Sequence, residues 1–284
     1  MDGVPDFAAG SGVWIGEQGQ VHVFSGRTGQ TIRSWIGNLA GDILRGGGFD
    51  FDRDGVPDLV FTQRPPPGAG GAYVCSGRDS EWTGRVLFCP SSGGTSRSCA
   101  WGGTAIDTGQ PQPGNPYPVF VFAEPLYGYN PNFGDPLGRL RMYRGTPAGV
   151  EPYGAACTGT LPSRPKIGIR DLQGRGVRLH LSNAPAGAHV ALLLGFSRTQ
   201  WHGLALPASL ASLGLLDCSL YTSVDLFAKT WTGTSGLDRG YAAIDLPLPL
   251  KAPGQDLFTL HGQWLVLDPT NGGVALSDAV LWRH

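Results

Sequence analysis

Apolar and polar residues exchange over very short distances in this chain, and the exchange has a strand period. Val177-Arg178-Leu179-His180-Leu181 alternates with period two, which predicts a strand with one buried face. His189-Val190-Ala191-Leu192-Leu193-Leu194-Gly195 is almost continuously apolar, which predicts a strand buried on both faces. Further strands are predicted at 218–226, 240–246, 257–267 and 274–283, and a short helix over Pro207 to Leu213. Turn formers separate them, as in Ala184-Pro185-Ala186-Gly187 and Asp268-Pro269-Thr270-Asn271-Gly272-Gly273. Six or more strands at this spacing predict an antiparallel β-sandwich or jelly roll over 149–284, with 146–165 as a linker and first turn.

The front half repeats itself. Asp2-Gly3-Val4-Pro5-Asp6-Phe7 returns as Asp54-Gly55-Val56-Pro57-Asp58-Leu59, and Gly19-Gln20-Val21-His22-Val23-Phe24-Ser25-Gly26-Arg27 is echoed by Gly71-Ala72-Tyr73-Val74-Cys75-Ser76-Gly77-Arg78. A weaker third copy keeps the strand Val119-Phe120-Val121-Phe122-Ala123 and a later strand from Gly138 to Gly145, with Asp107 to Gly114 standing where the acidic loop would be. About three units of roughly 50 residues, the first truncated, fill 1–148; that length is typical of one four-stranded propeller blade.

The chemistry concentrates in one loop, Asp50-Phe51-Asp52-Arg53-Asp54-Gly55-Val56-Pro57-Asp58. Its carboxylates occupy positions 1, 3, 5 and 9, and Gly55 stands at position 6, where the chain must turn sharply. Alternate side chains of such a loop converge on a hard cation, and the Val56 carbonyl supplies a further oxygen. Calcium at Asp50, Asp52, Asp54, Val56 and Asp58 is the expectation; a solvated turn without metal is the alternative. Phe61 at position 12 and the strand Leu59-Val60-Phe61-Thr62 place the loop between strands, outside any EF-hand.

This stretch resembles the FG-GAP repeats of the integrin-alpha type, in which a D-x-D-x-D-G-x-x-D calcium loop precedes an apolar strand and a G-x-V-x-V-x-S-G strand and turn. Residues 50–62 match the first part, and 19–29 and 71–78 the second. The resemblance covers about 2–148 and implies an all-β fold of propeller-like blades. Three blades do not close a ring, so the propeller is expected to be partial or incomplete. Residues 149–284 resemble, more weakly, a C-terminal β-sandwich module of secreted bacterial FG-GAP proteins, through Tyr153-Gly154-Ala155-Ala156-Cys157-Thr158-Gly159 and Leu216-Asp217-Cys218-Ser219-Leu220. That resemblance implies a Cys157–Cys218 bridge. Cys89 and Cys99 are candidates for a second bridge, leaving Cys75 single; five reduced cysteines are the alternative.

Composition narrows the function classes. Gly 45 and Pro 23 make up about a quarter of the 284 residues, yet hydrophobic residues at 41% and aromatics at 10% describe a packed, turn-rich protein. With 21 basic and 22 acidic residues there is no broad field to hold nucleic acid or an anionic bilayer. No apolar run approaches the roughly 18 residues of a membrane-spanning helix, and no membrane span is expected. The cysteines form no CxxC pair, which favours disulfides and an extracellular or cell-surface setting. The first residues lack the regions of a secretory signal, and the chain is expected to begin inside a longer parent.

No catalytic motif is present. The histidines form no HExxH and no G-x-S-x-G occurs; Gly46-Gly47-Gly48 precedes acidic residues that repel phosphate. His22, His180 and His261 fall in strand patterns and read as structural. Glu124, Asp135 and Glu151 are carboxylates without a motif. Tyr117, Tyr127, Tyr129 and Phe133 lie in a Pro/Asn/Gly-rich segment and read as an exposed ligand-binding or subunit-docking cluster, or as a cover over their own sheet; Trp201-His202 and Trp231 form a second candidate patch. The expected function is an extracellular, calcium-stabilised adhesion or scaffold module without catalysis, partnered by a glycan or cell-surface protein and self-assembling into homo-oligomers or filaments through unpaired sheet edges. The alternative is a secreted polysaccharide-binding or polysaccharide-degrading protein.

Overall fold

A computed structural model describes residues 4–11, 19–37, 43–46, 50–63, 71–78, 85–86, 105–109, 117, 119–124, 139–144, 149–172, 176–247 and 258–283. Across them the protein is all-β and antiparallel, without an α-helix and without any helix long and apolar enough to cross a membrane. Tyr127, Tyr129, Phe133, Asp135, Cys89 and Cys99 lie outside the described residues. The chain divides into two compact units, Met1–Phe51, Pro57–Pro111 and Pro118–Gly145 in one, and Asp52–Val56, Gln112–Tyr117 and Thr146–His284 in the other.

Among the described residues, the first unit holds three sheets, each built from strands consecutive in sequence. β1 (Phe7–Ser11), β2 (Gly19–Phe24) and β3 (Thr31–Gly37) form the first. β4 (Ile43–Gly46), β5 (Leu59–Gln63), β6 (Gly71–Cys75) and β7 (Arg85–Val86) form the second. β8 (Ala105–Gly109), β9 (Val119–Glu124) and β10 (Arg139–Arg144) form the third. The sequence repeat is a repeat of register: Phe7 faces Phe24 across β1 and β2, and Leu59 faces Cys75 across β5 and β6. Asp107 to Gly109, which stand where the acidic loop would be, form the end of β8 and pair with β9.

The second unit is built around two sheets. β11 (Val150–Tyr153), β22 (Gly273–Arg283), β21 (Thr259–Asp268), β14 (His189–Gly195) and β19 (Leu226–Trp231) lie side by side in that order. β12 (Lys166–Asp171), β13 (Gly176–Ser182) and β20 (Ala242–Pro247) make the other sheet. Their facing side chains form one apolar core, with Ile167, Ile169, Val177, Leu179 and Leu181 from one sheet and Val190, Leu192, Leu194, Trp264 and Val266 from the other. Two small ribbons, β15 (Gln200–Trp201) with β16 (Leu204–Ala205) and β17 (Ala208–Ser209) with β18 (Ser219–Leu220), complete the unit.

β14 shows why its sequence is unbroken apolar. Val190, Leu192 and Leu194 enter the central core, while Leu193, on the opposite face, joins a second cluster with Leu206, Ala208, Leu220, Leu276 and the bonded cysteines Cys157 and Cys218. Gln263, fully buried on β21, ties this cover down: its amide nitrogen donates to the carbonyls of Ser219 and Ser277 at 3.1 and 2.9 Å, and its amide oxygen accepts the Tyr221 N–H at 2.9 Å.

Several local expectations change. The helix at Pro207 to Leu213 is β17 followed by a single 3-10 turn at Ala211–Leu213, and 218–226 is split between β18 and the start of β19. The segment 146–165 contains β11, whose Pro152 is tolerated because this strand lies at a sheet edge. β12 was not anticipated.

Candidate functional site

The acidic loop precedes β5 and turns on two left-handed residues, Arg53 (φ 65°) and Gly55 (φ 88°). Glycine takes that conformation without steric cost; arginine does so only where its surroundings impose it. The carboxylate oxygens of Asp50, Asp52 and Asp58 lie within 4.8 Å of one another. Asp54 is buried, and its Oδ1 accepts the Val56 N–H at 2.8 Å; Asp52 Oδ1 accepts the Asp54 N–H at 3.1 Å. Three of the four expected carboxylates are thus gathered, and the fourth braces the turn.

Asp58 has a second task. Its Oδ2 accepts the Phe51 N–H at 2.6 Å and its Oδ1 the Gly77 N–H at 2.9 Å, joining the start of the loop to the Ser-Gly turn after β6. In the first repeat Asp6 Oδ1 accepts the Gly26 N–H at 3.1 Å, the same bond one unit earlier. The ninth loop position therefore holds the following turn in both copies. Sequence reasoning saw the aspartate and the turn as separate repeat features, though their similar spacing, 20 residues in the first copy and 19 in the second, was the available signal.

Arg53 is the residue that sequence reasoning missed, because an arginine among aspartates reads as solvated. It is buried within the second unit: Nη1 donates to Asp278 Oδ2 at 2.7 Å, and its guanidinium stands 5.7 Å from the ring centroid of Tyr117. Around it, Ser182 Oγ donates to the Arg53 carbonyl at 2.9 Å, His180 Nε2 donates to the Asp52 carbonyl at 2.5 Å, and the Ile167 N–H donates to Asp278 Oδ1 at 3.1 Å. Gly168 lies beneath this contact; a Cβ there would strike the Asp52 carbonyl and the His180 ring. Tyr117, expected either as an exposed binding aromatic or as a cover over its own sheet, is fully buried, and burial pushes its phenol well above the usual range. It has no surface to offer a ligand.

The other candidates separate. Trp201 packs against the second apolar cluster beside His202, with ring centroids 5.6 Å apart, while Trp231 is exposed on β19 and donates its indole N–H to His189 Nδ1 at 3.1 Å. Cys157 and Cys218 are disulfide-bonded, so their grouping with Asp217 offers no thiolate to a metal. Glu151 is clasped by Arg198 at 2.9 Å and Arg283 at 3.0 Å, and the Arg198 hydrogen bond holds its carboxyl below the ordinary range. A glycosidic general acid needs the opposite shift. His22 bonds Ser34 Oγ and Gln20 Oε1, and His261 Nδ1 bonds the Tyr153 hydroxyl at 3.0 Å; each histidine is tied into its strand neighbours.

Neither the protein-family models nor the curated proteins contain a match to this chain.

Proposed function

We propose that this chain is a calcium-stabilised, non-catalytic β module of an extracellular adhesion or scaffold protein, with incomplete propeller-like FG-GAP blades in its front half and a β-sandwich or jelly roll behind them. The observation that carries the reading is the gathering of Asp50, Asp52 and Asp58 oxygens within 4.8 Å in a D-x-D-x-D-G-x-x-D loop. Three carboxylates that close repel one another, and a divalent cation removes that repulsion while taking six to eight oxygens. The repeated register of β1–β2 and β5–β6, together with the aspartate-to-glycine bond common to both copies, supports the repeat assignment. Calcium serves rigidity in this reading and no bond is made or broken at it. The Cys157–Cys218 disulfide supports an oxidising location. Assembly of several copies through sheet edges is part of the proposal, because an edge strand offers unpaired backbone groups.

Thermal unfolding in millimolar calcium and in excess chelator tests the metal reading. A bound ion at a hundredfold excess over Kd adds about 2.7 kcal/mol, and the transition moves up accordingly. The Asp50→Asn/Asp52→Asn variant loses that difference. Identical transitions for the unaltered protein in both buffers reject calcium.

A further inference from the structure

β19 is the last strand of the five-stranded sheet, with β14 on one side and no strand of the described residues on the other. It is unusually apolar for a sheet edge: Leu226, Phe227 and Trp231 are 57%, 62% and 65% exposed. The opposite edge of the same sheet, β11, carries Pro152, and β20 ends on Pro247; β19 has no proline to block a further strand. Its one guard is Lys229, whose Nζ stands 5.3 Å from the Phe227 ring centroid. Two residues before Phe227 stands Asp225, whose Oδ2 accepts the Phe196 N–H at 2.9 Å and the Ser223 hydroxyl at 2.7 Å.

We infer that a second copy of this chain adds its own β19 antiparallel to this edge, on a two-fold axis through Phe227. In that register Phe227 faces its own counterpart, Leu226 faces Ala228, and Asp225 of each copy faces Lys229 of the other. The charge that guards the edge is thereby neutralised by the Asp225 of an identical chain, while the exposed Phe227 and Leu226 are covered. Other registers leave Lys229 opposite its own counterpart or opposite an apolar or hydroxyl residue. The sheets of two copies then run on as one, joined by backbone hydrogen bonds between the two β19 strands. This deepens the assembly part of the proposed function by naming the edge, the partner and the pairing; it does not depend on the metal.

Sedimentation equilibrium on the whole chain over a wide concentration range, in calcium and in chelator, tests it. The expected result is a concentration-dependent dimer in both buffers, weakened at least about tenfold by Lys229→Glu, which sets like charges face to face. Register is read by mild oxidation of single-cysteine additions, with the unaltered chain as the control. Phe227→Cys crosslinks, because directly opposed Cα atoms lie about 4.5–5.5 Å apart, within disulfide reach. Trp231→Cys does not, its counterpart being about 26 Å away along the paired strands. A chain that stays monomeric, a Lys229→Glu variant that dimerises as well as the parent, or equal crosslinking of both cysteine variants overturns the inference. A monomer that instead retains glycans on an array through Phe227 and Trp231 also overturns it, in favour of a carbohydrate platform. Dimers without a calcium-dependent melting shift reject the metal reading and keep this one; the converse result does the reverse.

Discussion

Arg53 and Asp278 are both nearly withdrawn from water, and each is the other's compensation. Burying one charge without the other leaves an uncompensated ion in a poor solvent, whereas removing both leaves a gap to be filled and the Ile167 N–H without its carboxylate acceptor. Arg53→Ala and Asp278→Ala are each expected to cost about 3–5 kcal/mol in denaturant unfolding, and the double replacement Arg53→Met/Asp278→Leu to recover a large part of that. Equal losses for the single and double variants would show that apolar packing does not replace the pair, and would reject this account. His261 acts on a different axis. Burial first, and then the positive charge of Arg198 and Arg283 against the opposing pull of Glu151, depress its pKa below the ordinary 6.5. The unfolded chain therefore binds the proton more readily than the folded one. Stability from the neutral ring is present above pH 6.5 and lost as the pH falls through the folded value, and His261→Gln should flatten melting temperature against pH in that window. An unchanged slope would assign the dependence to other groups.

Strands and ribbons show what the chain announces and what it conceals. β14 was legible to the residue, since seven nearly unbroken apolar positions have only one comfortable place, between two covered faces. β13, β21 and β22 were legible from alternation and turn residues. β12 was hidden by Gly168, a glycine kept not for a turn but for the close passage of the Asp52 carbonyl over the strand. β11 was hidden by Pro152, and the break between β18 and β19 by an even scatter of apolar residues across it. The cover over β14 hangs on the Cys157–Cys218 bond, which spans 61 residues. Cross-linking a loop of that length removes about 4 kcal/mol of unfolded-chain entropy. Cys157→Ala/Cys218→Ala should lower unfolding stability by up to about that amount, and a negligible change would mean that the ribbons hold β14 covered unaided.

At the scale of the whole molecule, the repeat was readable because it is written in register as well as in residues: both strands and the turn-holding aspartate return in the same order, with the aspartate and its turn one residue closer in the second copy. The candidate metal loop was readable in three of its four carboxylates. Its arginine was not, because the partner that explains it, Asp278, is 225 residues away. Long-range pairing of this kind leaves no local period to detect. Tyr117 was misjudged for the same reason: a Pro-rich neighbourhood suggests exposure, and only the distant groups around it reveal burial.

The second unit, then, is not one uninterrupted length of polypeptide. Five residues from Asp52 to Val56 are counted in it, and they deliver the guanidinium that meets Asp278, the carbonyl that meets His180, and the carbonyl that meets Ser182. A gene fragment starting at Thr146 would encode both sheets and the disulfide, yet leave Asp278 without the guanidinium of Arg53. Transplanted without residues 52–56, the rear segment is expected to unfold more readily than it does in the whole chain.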